Sequence, residues 1–238
     1  MNWPPYTEYQ ETGVEDLGQA PLKWTPIKLR HLLATNPTIP PKLRRSDDAV
    51  SFLPMEAIGE DGSLDLSRNR PVPELLTGYS YFANGDVIFA KVTPCFENGK
   101  AALVQQLPTI HGFGTTEVTT LRPGPHLKQD FLGYLVRSDH FRQSSIAAMT
   151  GAGGLKRVPD EHVREFWVAL PPVRDQETIS AFLDSETAKI DALIVKQQQL
   201  IATLREDRTA TVELSFPANS RMTPLRTLLL FAQTGPFG

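Results

Sequence analysis

Cysteine is nearly absent: the 238 residues contain one, Cys95. A single thiol excludes an internal disulfide and fits a reducing cytoplasmic setting. In Pro94-Cys95-Phe96 it reads as a small buried hydrophobe rather than a reactive thiol. Long apolar runs are missing too. None approaches the ~20 residues that a bilayer crossing needs; Leu225 to Gln233 is largely apolar but too short. The N-terminus lacks the basic-then-apolar order of a signal peptide, so no membrane partner is expected. The five His are scattered with no short-spaced pair, which leaves no metal-ligand cluster. There is no Gly-x-Ser-x-Gly elbow, no P-loop spacing and no three-glycine dinucleotide spacing. These gaps exclude the commonest enzyme classes and leave an ordinary polar chain, 40% apolar and 21% charged.

One stretch lacks both glycine and proline for about forty residues, from the Leu170-Pro171-Pro172 turn to Phe216. Leu183, Ile190 and Leu204 fall in one heptad column with Gln197 as its polar member. Leu193 and Leu200 keep a second column, and Ile194 and Ile201 a third. A narrow apolar seam at a period near 3.5 predicts a coiled-coil helix over 173–216. Thirty-eight residues would make a rod of roughly 57 Å. The plainer alternative is an amphipathic helix lying on its own core. Gln197 would fix register or pairing, or would be an exposed position.

The net charge of −3 is unevenly spread. Residues 175–214 carry a net of −4 and residues 1–24 a net of −3, whereas residues 25–174 carry +2. The acid sits on the rod and the leader, and the middle is slightly basic. That permits a nucleic-acid face without demanding one.

The chain divides by pattern into four parts. Residues 1–24 are a polar leader, held on the domain by its aromatics. Residues 25–172 predict an α/β (α+β) domain of short strands and few helices. Strands are expected at Val50 to Met55, Val87 to Val92, Gly99 to Leu107, Gly112 to Leu121 and Phe166 to Leu170. Residues 130–149 read as one helix, and Thr150 to Val158 as a mobile glycine loop carrying Lys156 and Arg157. Residues 173–216 are the rod and 217–238 a tail. The glycine loop would cradle a phosphate or serve as a surface turn. Asp86 with Glu97-Asn98-Gly99-Lys100 invites a nuclease reading, but the spacing departs from Glu-x-Lys. Lys91 and Lys100 read better as phosphate contacts or as solvated strand ends.

Several segments, in order, resemble the specificity subunit of type I restriction-modification systems. They are the leader Tyr6 to Gly18 through Pro21 to Trp24, and Phe82-Ala83-Asn84-Gly85-Asp86-Val87-Ile88-Phe89-Ala90-Lys91 through Lys100. Gly112-Phe113-Gly114-Thr115-Thr116-Glu117, the glycine loop, and Leu170-Pro171-Pro172 with Asp175-Gln176 complete the set. Asp16 departs from the Trp often found there, and Asp175 from the usual Glu. The family carries two target-recognition domains, each followed by a long helix; here there is one of each, and Leu225 to Gly238 resembles the opening of a second domain. The resemblance therefore implies a half-length, non-catalytic subunit that reads double-stranded DNA. Modification and restriction subunits would be its partners and would hold the S-adenosylmethionine, ATP and Mg²⁺; no cofactor is expected on this chain. Two copies pairing their rods antiparallel would read an interrupted symmetric site. DNA contacts are expected from Lys91, Lys100, Lys156 and Arg157, with Arg44 and Arg45 behind them. The competing readings are a nuclease or other enzyme on the same domain, and a coiled-coil scaffold without a DNA role.

Overall fold

The structure is a computed structural model and describes residues 6–215. The expected tail over 217–238 and the first residues of the leader lie outside the described residues. In chain order the elements are β1 (Tyr9–Glu11), β2 (Gln19–Pro21), β3 (Thr25–Lys28), a 3-10 turn at Leu29–His31, and β4 (Leu33–Thr35). A second 3-10 turn at Leu43–Arg45 precedes β5 (Ala49–Leu53), β6 (Asn69–Pro71), β7 (Tyr79–Ala83), β8 (Val87–Ala90) and β9 (Ala101–Leu103). Then come β10 (His111–Thr115), β11 (Val118–Pro123), α1 (Gln129–Arg137), α2 (Asp139–Ala147), β12 (Thr150–Ala152), β13 (Leu155–Arg157), α3 (Asp160–Glu165), β14 (Trp167–Leu170) and α4 (Val173–Ser215). This is the mixed strand and helix domain, followed by one long helix, that the sequence predicts.

Two four-stranded sheets, ordered β6-β5-β10-β7 and β4-β11-β8-β9, face each other. Side chains alternate across a strand, and the alternation separates the core. Leu53, Phe82, Ile88, Ala102, Val104 and Val118 pack between the sheets. Val87, Phe89 and Leu121 turn the other way, onto Phe131, Leu132, Phe141, Val163 and Phe166 from the helices. Val50, Tyr81 and Phe113 face outward from the first sheet, under Leu43, Val72 and Leu75. Gly112 is required by this packing: a Cβ there would lie 2.4 Å from the Phe82 ring. The pairing β14–β3 is antiparallel with Thr25 opposite Leu170, so the domain closes on its own first strand.

Gln176 fixes the start of α4. It is fully buried. Its Nε2 donates to the carbonyls of His126 and Pro171, each at 2.9 Å, and its Oε1 accepts from Lys128 N–H at 2.8 Å. An unpartnered buried amide is costly, and here the amide serves three backbone groups instead.

Four local expectations are corrected. The leader, for which no strand is expected, forms the hairpin β1–β2, with Tyr6 edge-on to Trp24. The single helix over 130–149 is two, because Ser138 caps α2 through Phe141 N–H at 3.3 Å and ends α1 on Leu135 O. The strand over 112–121 is β10 and β11, which belong to different sheets. The glycine loop is the hairpin β12–β13. Ala152 pairs with Leu155, so Gly153 and Gly154 form the whole two-residue turn, at φ +65° and +80°. Two left-handed residues in succession make a type I′ turn, which matches strand twist and favours glycine.

Contacts divide the chain after Leu183. The unit up to Leu183 contains both sheets and the first turns of α4. In the second unit α4 continues through Ser215, about 32 described residues and ~48 Å of helix. Every described residue from Thr187 onward is exposed. That includes Gln197 and the seam residues Ile190, Leu193, Ile194, Leu200, Ile201 and Leu204, whose exposures run from 48% to 59%. Among the described residues, no helix is long and apolar enough to cross a membrane.

Candidate nucleic-acid interface

Four of the six expected DNA contacts gather where β8 ends. Ala90 N–H bonds the Lys100 carbonyl and Lys91 N–H bonds the Glu117 carbonyl. The β12–β13 hairpin is stitched to the same segment. Val158 N–H donates to Lys91 O at 2.9 Å, Thr93 N–H to Lys156 O at 3.0 Å, and the Thr93 hydroxyl to Gly154 O at 2.9 Å. Lys91, Lys156 and Arg157 are thereby placed together by backbone bonds.

Their charges are not equally available. Arg157 forms a two-pronged pair with Glu117, Nε to Oε2 and Nη2 to Oε1, both 2.7 Å. Arg157, first by hydrogen bonding and then by its charge, with Lys91 adding to it, holds the Glu117 carboxyl below its usual range. Lys156 is exposed, and its ammonium bonds no described group. Lys100 is half-buried and donates to Met55 O at 3.2 Å. Its distance in the chain from the hairpin hides that it shares this edge.

Arg44 and Arg45 lie elsewhere, on the 3-10 turn that seats Leu43 in the outer core. Both are exposed; Arg44 makes a long bond to Ile39 O at 3.4 Å. The turn forms one wall of an open pocket of about 660 Å³, lined by Pro40, Pro41, Lys42, Leu43, Ser46, Asp48 and His111. His111 begins β10 and Glu117 follows its end, so the two cation groups lie toward opposite ends of a strand about 14 Å long.

A polar network runs beneath the pocket, and the sequence did not disclose it. Asp86 is 1% exposed. It accepts from Arg122 Nε at 2.7 Å, Arg122 Nη2 at 2.6 Å and Ala83 N–H at 2.8 Å. Arg122 lies over the Tyr81 ring at 5.4 Å. The Tyr81 hydroxyl lies 2.9 Å from His111 Nδ1, and which of the two donates is set by the imidazole tautomer. Burial, then the Arg122 charge, lowers the His111 pKa. In the tautomer in which Tyr81 donates to Nδ1, neutral His111 carries its proton on Nε2. Tyr81, His111 and Arg122 are spread over three strands, so no short motif marks them; an arginine directly after the buried stretch Val118 to Leu121 of β11 was the one local sign. Asp86 is committed to Arg122, which removes it from the nuclease arrangement considered from sequence.

Among the described residues, no three His, Cys, Asp or Glu converge as a metal-ligand set. A scan against protein-family models finds no match. The chain is 39% identical over 146 residues to the type I restriction enzyme EcoAI specificity subunit of Escherichia coli, covering 59% of this chain and 25% of that protein. It is 32% identical over 206 residues to the EcoEI specificity subunit of the same organism, covering 81% of this chain and 34% of that protein. Its fold matches the HsdS subunit from Thermoanaerobacter tengcongensis with a TM-score of 0.62 at 20% identity, over 86% of this chain and 52% of that one. A structure of a type I restriction-modification system gives 0.60 at 17% identity, over 85% of this chain and 47% of that one. The chain spans a quarter to a third of the length of the curated relatives it matches. Over 81% of its length the chain is similar in sequence to a type I restriction enzyme specificity subunit, and over 86% it shares the fold of an HsdS subunit.

Proposed function

We propose that this chain is a DNA-reading element of a type I restriction-modification complex, cytoplasmic and without chemistry of its own. The observation that carries the reading is sequence identity of 32% running over 81% of the chain to a specificity subunit. Methyl transfer and cleavage, with S-adenosylmethionine, ATP and Mg²⁺, belong to modification and restriction subunits that dock on it. Phosphates are met by Lys91, Lys100, Lys156 and Arg157 at one end of β10, and by Arg44 and Arg45 at the other. Such contacts set position on the duplex, while base edges set sequence.

The apolar columns of α4 support a second statement. Six large aliphatic side chains half exposed on one helix are seldom left in water, and heptad spacing suits another helix rather than a flat surface. Two copies pairing these helices antiparallel would hold one reading head at each end and address an interrupted two-fold site.

The test is co-purification with a type I modification subunit, then sequencing of DNA for the adenines or cytosines methylated by the pair. The expected result is a methylated motif that changes when residues 25–172 are exchanged. A stable pair that methylates no defined motif overturns the reading.

A further inference from the structure

Ile110 stands out among the exposed apolar residues. It is 64% exposed and sits at φ +63°, a conformation that β-branched side chains rarely adopt. Core packing does not explain it, since the side chain is not packed. The backbone around it is held by five bonds. Leu107 N–H donates to Asn84 Oδ1 at 2.9 Å, Asn84 N–H to Ile110 O at 3.1 Å, and Ile110 N–H to Leu107 O at 3.4 Å. The Thr109 hydroxyl donates to His111 O at 2.8 Å and accepts from Ser51 N–H at 3.2 Å. Strain held this firmly is a mark of functional positions.

The next residue is His111, at the mouth of the 660 Å³ pocket. Its Nδ1 lies 2.9 Å from the Tyr81 hydroxyl; in the tautomer in which that hydroxyl donates, Nε2–H is left to donate, and no described residue accepts from it. Across the pocket stands Lys42, with Arg44 and Arg45 on the same exposed turn. Asp48 also lines the pocket, bound by the Ser46 hydroxyl at 2.6 Å. The tip thus offers an apolar surface, the Nε2 edge of an imidazole and flanking cations.

We infer that Ile110 and His111 read a T·A base pair in the major groove, with Lys42, Arg44 and Arg45 on the adjoining phosphates. Thymine presents the complement of this pair: a 5-methyl group for Ile110 and the O4 acceptor for the His111 donor. Cytosine offers a donor at the same place, which His111 would oppose. The inference rests on the DNA-recognition reading and assigns it to two side chains.

The experiment is selection from a random duplex library by the full chain, run in parallel with Ile110→Gly and His111→Phe. Glycine accepts the left-handed backbone at no steric cost, so Ile110→Gly should fold at least as stably as the parent. The expected result is a parent motif containing T·A, at which both variants lose about tenfold of their preference while other positions are retained. Both variants enriching the parent motif unchanged, or losing preference evenly or at a G·C position, overturns the inference and leaves DNA recognition standing. A parent chain that enriches no motif at low salt overturns DNA recognition itself.

Discussion

Lys156 and Arg157 are neighbours in the chain but present different charges to a ligand. The Arg157 guanidinium is already paired with Glu117, while the Lys156 ammonium bonds no described group. Replacing Lys156 by Ala should lower the slope of log affinity against log salt by about 0.9, the value for one released phosphate contact. Arg157→Ala should change the slope less and weaken affinity at all salts, because it exposes the Glu117 carboxylate. Anisotropy titrations on a duplex from 50 to 300 mM salt distinguish these; equal slopes for parent and Lys156→Ala would remove Lys156 from the interface. The histidines make a second residue-scale statement. Burial lowers the pKa of His162; burial, then the Arg122 charge, lowers that of His111. The unfolded chain therefore binds more protons than the folded one near pH 6, and stability rises with pH there. This contribution is complete above the unfolded value of about 6.5 and is lost as pH falls below it. Urea midpoints should drop from pH 7.5 to pH 5.5, and His162→Gln should flatten part of that drop; an unchanged profile in the variant would exclude His162 as a cause.

Among the elements, α4 was the most legible in sequence and its first turn the least. Forty residues without Gly or Pro, opened by Pro171-Pro172, left no other regular structure available, and α4 runs from Val173 to Ser215. The strand at Val87 was equally plain, because β-branched and aromatic residues fill it. The hairpin at Thr150 was missed because Gly-Gly reads as slack when considered alone; only the pairing of Ala152 with Leu155 makes it a type I′ turn. The β10–β11 break was missed because Thr115-Thr116-Glu117 has strand-like members on both sides. The anchoring by Gln176 was invisible, since its three partners are carbonyls and an amide about 5 to 50 residues away. Gln176→Leu would leave three backbone groups without their partner, the Pro171 carbonyl buried and the other two part-buried, each costing ~1 kcal/mol. The expected loss is about 3 kcal/mol by urea unfolding, against a few tenths for the exposed neighbour Glu177→Leu. A loss below 1 kcal/mol would mean that water or a relaxed α4 start replaces the amide.

For the whole molecule, the exposed columns of α4 set the expectation about assembly. Ile190 is 55% exposed, so Ile190→Asp should leave folding of the chain unchanged while burying a charge in any helix pair that forms. Sedimentation at micromolar concentration should show an associated parent and a monomeric variant with the same thermal midpoint. A parent already monomeric would remove the antiparallel dimer and leave the seam to some other helix. The closure of β14 on β3 has a consequence of another kind. Thr25 and Leu170 lie opposite each other, about 5 Å apart at the Cα atoms. The polypeptide enters and leaves the strand-rich region at one point, so that region is a loop tied at its neck. A short glycine bridge should be able to join it at the neck, with the chain reopened beside the exposed Glu60 and Asp61, without redrawing the order of its strands.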